Sequence, residues 1–177
     1  MEYLLKDNGK INIRKAFDFD APEIIEVIKA GDTESDFLVR EPNEFDISVE
    51  DEINYIHTID NDPLSLMYVA TLDSQVIALA DIEPISHFSR LKHRGQISLL
   101  VLEFYSNLGV GTSLLDYGIK IARLLGYESL EIEVVDTNYA AINIYKKFGF
   151  VEYGKRNNSL KYQDSTYANT ILMRLDL

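Results

Sequence analysis

The chain has 177 residues, 46% hydrophobic and 26% charged, which suits one soluble domain with a substantial core. It holds no cysteine, which excludes disulfides, thiolate metal sites and a cysteine nucleophile. Its net charge of −12 repels phosphate backbones, so no nucleic-acid partner is expected, while cationic partners such as amines are attracted.

The first ten residues, MEYLLKDNGK, are acidic and polar, unlike a signal peptide. No apolar run approaches membrane-spanning length, so no membrane partner and a cytoplasmic location are expected. Lys10–Lys15, KINIRK, alternates apolar and polar residues as a short strand does. Asp18 or Asp20 then caps a helix with Pro22 in its first turn. Ile24, Ile25, Val27 and Ile28 form its apolar side, and it should stop near Gly31. Residues 32–46 are acidic, aperiodic and contain Pro42, as a loop would. Ser48 starts a second helix, with Asp51 as an acidic variant of the capping box. Ile53, Ile56 and Ile59 mark its inner side, and Asn61, Asp62 and Pro63 end it.

Leu66–Leu72 and residues 75–82 are apolar runs joined by Asp73 and Ser74, the pattern of a tight antiparallel hairpin. A polar connection over 84–94 follows. Residues 97–102 are a nearly unbroken apolar run and read as a strand buried on both faces. A tight turn over 107–111, with Gly109 and Gly111, leads into a helix from Thr112 onward. Leu115, Gly118, Ile119, Ala122 and Leu125 form one stripe of it, and Gly126 caps its end.

Ser129–Val135 alternates cleanly, with Leu130, Ile132 and Val134 on one face and Glu131 and Glu133 on the other. Following a strand and a helix, it predicts a parallel neighbour. Asp136 or Asn138 caps the next helix, whose inner side is Ala141, Ile144, Tyr145 and Phe148 and whose end is Gly149. A strand begins at 150–153, residues 155–165 are polar, and 167–175 reads as a closing strand in a final hairpin. The fold class is therefore α/β of the α+β type. It is a mixed sheet of about seven strands, antiparallel first and then a parallel crossover, with helices on both faces and no sign of a second domain.

The turn between 97–102 and the following helix aims free N–H groups and a helix dipole at one spot, which suits an anion such as a pyrophosphate. A tight turn serving only packing reads the same way. Leu114 occupies the place of a third glycine, and no Gly-Lys-Ser/Thr follows, which weighs against a dinucleotide or phosphate-loop domain. Downstream, Asn138, Ala141, Tyr145, Gly149 and Phe150 form a second constellation. Ala141 and Tyr145 share a helix face, where a small residue leaves room beside a phenol. Tyr145 reads equally as a core tyrosine. His57, His87 and His93 lack metal-ligand spacing, so no metal is expected.

Together these stretches resemble the GNAT superfamily of acyl-CoA-dependent N-acetyltransferases, best over about residues 95–150. Tyr167, Asn169 and Met173 also look like its closing strand. The resemblance implies a GNAT-like sheet, acetyl-CoA as acyl donor, and transfer of the acetyl group to a primary amine of a small molecule or protein. It implies that Val101 and the adjoining strand backbone bond the pantetheine arm. Leu108, Gly109, Val110, Gly111 and Thr112 would offer amides to the pyrophosphate, and Asn138 would bind the pantetheine or pyrophosphate region. Tyr145 would protonate the departing thiolate. The chain departs from the pattern at Ser106, where Gln or Arg is common, at Asn107, where Gly is common, and at Glu103, where Pro is common. It carries Gln96 where a basic glutamate often stands. Glu103 and Glu83 are then the candidate bases. The departures keep open a catalytically weak or inactive acyl-CoA-binding module on the same fold. The sequence leaves both monomer and homodimer open.

Overall fold

The computed structural model describes residues 1–177. Eight strands form one sheet in the order β1-β2-β3-β4-β5-β6-β8-β7. They are β1 (Glu2–Leu4), β2 (Lys10–Lys15), β3 (Leu66–Leu72), β4 (Gln75–Pro84), β5 (Arg94–Val101), β6 (Ser129–Val135), β7 (Val151–Lys161) and β8 (Tyr167–Asp176). Every neighbouring pair is antiparallel except β5 with β6. The helices are α1 (Ala21–Glu34), α2 (Val49–Asp60), α3 (Val110–Leu124) and α4 (Tyr139–Lys147). No helix is long and apolar enough to cross a membrane.

Two cores flank the sheet. On one face α1 and α2 cover β3 and β4, with Ile24, Val27, Ile28, Ile56 and Ile59 against Met67, Val69, Leu79 and Leu100. On the other, α3 and α4 bury Leu114, Leu115, Ile119, Ile142 and Tyr145 against Ile13, Tyr68, Ile97, Leu130 and Ile132. The β3–β4 turn has positive φ at both Asp73 (48°) and Ser74 (71°), which matches the strand twist. Ser48 and Asp51 form the reciprocal cap expected at α2.

Several elements differ from the sequence reading. The eighth strand is β1, three residues too short to show a period, formed by pairing Tyr3 opposite Ile11. Helix α1 does not stop at Gly31 but continues to Glu34, and Gly31 lies inside it. A Cβ there would sit 2.7 Å from Leu100 Cδ1, so this glycine permits close helix–sheet approach rather than a turn. Helix α3 begins at Val110, two residues before Thr112. Ile142 of α4 is buried alongside Tyr145, and Ala141, Ile144 and Phe148 are only partly so. Strand β7 runs through the polar residues 155–161, because an edge strand needs hydrogen bonds from β8 but no apolar side chains. Strand β5 is not buried throughout. Gln96 and Ser98 are exposed on the α1/α2 face, and only beyond them does Leu100 reach that core.

Candidate functional site

Strand β5 stays paired with β4 as far as Val101, but its parallel pairing with β6 ends at Gln96 opposite Glu131. Beyond that point the sheet opens. The Leu102 N–H bonds Ile77 O on the β4 side. Alternation along a strand therefore turns the backbone groups of Leu99 and Val101 toward the opened edge, where β6 supplies no partner. A gap in mid-sheet with unpaired N–H and C=O groups is a place for a ligand that hydrogen-bonds like a strand.

The turn after β5 meets the end of this gap. Asn107 and Gly109 have φ of 63° and 105°, and no residue touches the space where a Gly109 Cβ would stand. A Cβ on Gly111 would lie 3.8 Å from Val101 Cγ2 and 3.9 Å from Ile144 Cδ1, so the turn, the strand end and α4 converge here. The backbone N–H groups of residues 107–112 find no acceptor within the chain, and Ser113 N is the first to bond, to Gly109 O at 3.0 Å. Behind them Lys6 N donates to Leu108 O at 2.9 Å, and Val110 is fully buried. Pinning that carbonyl inward turns the Gly109 N–H of the same trans peptide outward. The first turn of α3 carries no acid, so nothing competes with an incoming anion. The same bond sets Lys6, a cation that sequence reading passed over, beside the turn.

Asn138 caps α4, its Oδ1 accepting from Ala141 N at 3.2 Å, which leaves its side-chain N–H groups free to donate. Tyr145 is 9% exposed, its ring 5.8 Å from that of Phe150. Its hydroxyl has no partner in the chain, and burial alone pushes its pKa up to about 12. It belongs to the α3/α4 face of the gap.

The opposite face of the gap is acidic. Register sets Asp81 opposite Ser98 and Glu83 opposite Gln96. Ser98 Oγ donates to Asp81 at 2.6 Å, and Tyr55 Oη of α2 donates to Glu83 at 3.0 Å. Asp81, half-buried on the strand, has its pKa pushed up to about 6, chiefly by burial, against the lowering bond from Ser98. Glu131 and Glu133 on β6 are already engaged, by Arg94 and Tyr153 and by Arg156 and Thr170 respectively. Glu103 is exposed past the end of β5, and its backbone N–H is turned toward the Glu34 carboxylate of α1 at 2.8 Å. The structure thus brings Val101, the 107–112 turn and α4 together, and sets Glu83 and Glu103 apart from each other. Asp81 escaped the sequence reading. Its one signal was a lone charge inside the apolar run 75–82.

At the rim, Tyr162 Oη donates to Asp36 O at 2.9 Å, joining the loop after α1 to the β7–β8 turn around a groove of about 460 Å3. Tyr153 instead points to Glu131, and Tyr167 stacks under Lys161. No three His, Cys, Asp or Glu side chains converge closely enough to hold a metal ion.

Comparison with known proteins agrees with this arrangement. Residues 32–150 match the model of the acetyltransferase (GNAT) family. The chain is 41% identical over 93 residues to an N-alpha-acetyltransferase of Sulfolobus acidocaldarius, a match covering 48% of this chain and 55% of that one. The chain thus spans about half the length of the curated relatives it matches. A GNAT-family acetyltransferase from Streptococcus pneumoniae superposes with a TM-score of 0.90 at 23% identity, over 94% of this chain and 99% of that one. A Salmonella typhimurium protein solved with its cofactor acetyl-CoA superposes with a TM-score of 0.84 at 17% identity, over 94% of each chain. With the family model spanning the gap, the amide turn and α4, this chain belongs to the acetyltransferase (GNAT) family.

Proposed function

We propose that this protein is an N-acetyltransferase that moves the acetyl group of acetyl-CoA directly to a primary amine of a small molecule or protein. The observation that carries the reading is the run of unpartnered N–H groups at residues 107–112, set at the mouth of the β5–β6 gap. The residues present fit the cofactor. Diphosphate oxygens match amides at a helix N-terminus, and an amide-bearing arm matches the free edge at Leu99 and Val101. Leu108, Gly109, Val110, Gly111 and Thr112 supply the anion cradle. Asn138 offers its spare amide N–H groups from the neighbouring helix.

Acetyl-CoA supplies a thioester, whose carbonyl is open to attack by a neutral amine. The chain's own part is then positioning and proton handling. Amides and the strand edge fix the donor in line with the gap, which removes much of the entropic cost of bringing two reactants together. Tyr145, buried and without another partner, is the donor that meets charge developing on the sulfur. The acidic face across the gap attracts an ammonium group and holds Glu83 where an amine would arrive. Glu103 takes the rim. The N-alpha-acetyltransferase name of the archaeal relative supports a peptide α-amino group as one acceptor to try first.

Thermal stabilisation by acetyl-CoA, CoA, NAD and ATP tests the donor, because a ligand that binds only the native form raises the midpoint. Release of CoA with peptides, polyamines and amino sugars then tests transfer. Stabilisation by acetyl-CoA and CoA with turnover on an amine is the expected result. Stabilisation without turnover on any amine would favour a binding module. Stabilisation by NAD or ATP alone would overturn the reading.

A further inference from the structure

Resting on that reading, we propose that Asp81, held by Ser98, is the carboxylate that takes the proton from the acceptor ammonium, on the sheet face that also carries Glu83 under Tyr55. The pairing of β5 with β6 ends at Gln96, two residues before Ser98, so the gap opens directly beside Ser98. Asp81 lies across from it, one strand inward, about 5 Å away by ordinary sheet spacing. Both belong to the α1/α2 face, opposite Tyr145. An amine arriving from this face meets the base on its own side and the acid on the far side of the reacting carbonyl.

The neighbours of Asp81 leave it free for this work. Ser98 is its only hydrogen-bond donor, at 2.6 Å, and no Lys, Arg or His pairs with it. Glu83 stands on the same strand and is held by the Tyr55 hydroxyl. Tyr55 donates to Glu83 at 3.0 Å, and burial together with the charges of Glu83, Asp81 and Glu52 raises its pKa. Tyr68, on β3, is the other titrating group that Asp81 influences. Glu52 is 1% exposed, and its Oε1 has no partner. Asp81 and Glu83, two carboxylates two residues apart on one strand face with no Lys or Arg paired to either, suit a cationic guest. Metal is the poorer guest, since no three ligating groups converge.

The step balances. The ammonium gives one proton to Asp81 and becomes a neutral amine. Its lone pair forms the C–N bond as the C–S bond breaks. The sulfur leaves with the electron pair as a thiolate that accepts a hydrogen bond from Tyr145, and the second N–H proton passes to water, from which the thiolate takes one. Asp81 then returns its proton to water. Burial lifts the Asp81 carboxyl to about 6, close to the operating range of a base. The gap to an α-amino group, with an ordinary pKa of about 8, is smaller than to a lysine amine at about 10.4.

The experiment is the pH dependence of kcat/KM with an α-amino peptide, for the parent protein and for D81N, D81E, S98A, E83Q and E103Q. The parent should show an acidic limb near pH 6. D81N should lose about 10²- to 10⁴-fold and lose that limb, as removal of a general base does, with D81E recovering part of the rate. S98A should keep the limb but shift it upward, because the bond it removes lowers the Asp81 pKa. D81N should bind acetyl-CoA with an unchanged midpoint shift. A limb that survives in D81N, or that disappears in E83Q or E103Q instead, overturns the proposal. A parent that neither binds acetyl-CoA nor turns over removes the acyl-transfer reading and this proposal with it. A working parent with an unaltered D81N removes this proposal alone.

Discussion

Replacing Tyr145 with Phe separates the chemistry of this site from its packing. The hydroxyl has no partner in the chain, so its loss orphans nothing, and the ring keeps its contact with Phe150. Stability should therefore hold within about 0.5 kcal/mol. The size of the catalytic loss follows from the Tyr145 pKa of about 12. A thiol has an ordinary pKa of about 8.5, so complete proton transfer from the phenol to a thiolate is uphill by about 3.5 units, or about 5 kcal/mol. The phenol then works mainly by donating a hydrogen bond to developing negative charge, worth about 1.5–3 kcal/mol. That predicts a fall in kcat of about 10- to 150-fold for Tyr145→Phe, with little change in the midpoint shift caused by acetyl-CoA. The assay is CoA release under saturating donor, alongside thermal melts. A fall of less than about threefold, or a stability loss above about 1 kcal/mol, would refute the reasoning, because the hydroxyl would then be idle or structural.

Gly118→Ala places a Cβ 2.3 Å from Tyr68 Oη and 2.7 Å from Ile97 Cδ1, and strains the Tyr68 bond to Leu114 O. After the gain in helix propensity the net loss should be about 1–3 kcal/mol, read as a drop of roughly 3–10 °C in Tm. Asn138→Ala removes the α4 cap and should cost about 0.5–2 kcal/mol. It should weaken acetyl-CoA binding further only if its amide N–H groups also reach the ligand, and Asn138→Asp, which keeps the cap but not those donors, separates the two effects. The Asp81 carboxyl has a folded pKa raised from 3.8 to about 6, so its ionised form opposes folding. The stability it contributes is present below about pH 4 and is lost as pH rises through about 6. D81N should match the parent at low pH and exceed it above about pH 6, by at most about 3 kcal/mol before solvent screening. Urea melts at several pH values measure the difference, and a pH-independent gap would contradict it.

Local pattern carries far in this chain because helices, hairpin turns and caps depend on residues only a few positions apart. The alternation in Ser129–Val135, the Asp73–Ser74 turn, the Ser48–Asp51 cap and the glycine turn before α3 all read directly. The amide turn and Tyr145 could be named as candidates from sequence because each lies within a single short stretch. What tertiary structure alone decided depends on partners far away in sequence. Strand β1 exists because the edge of β2 accepts it, and β7 because β8 does. Gly31 and Gly118 read as a helix stop and a stripe member, but their role is to let helices touch Leu100, Tyr68 and Ile97. Asp81 looked like a lone charge in an apolar strand, and register set it opposite Ser98. Hydrophobic period tells which way a side chain faces; it carries no information about which strand lies alongside, or where a sheet parts.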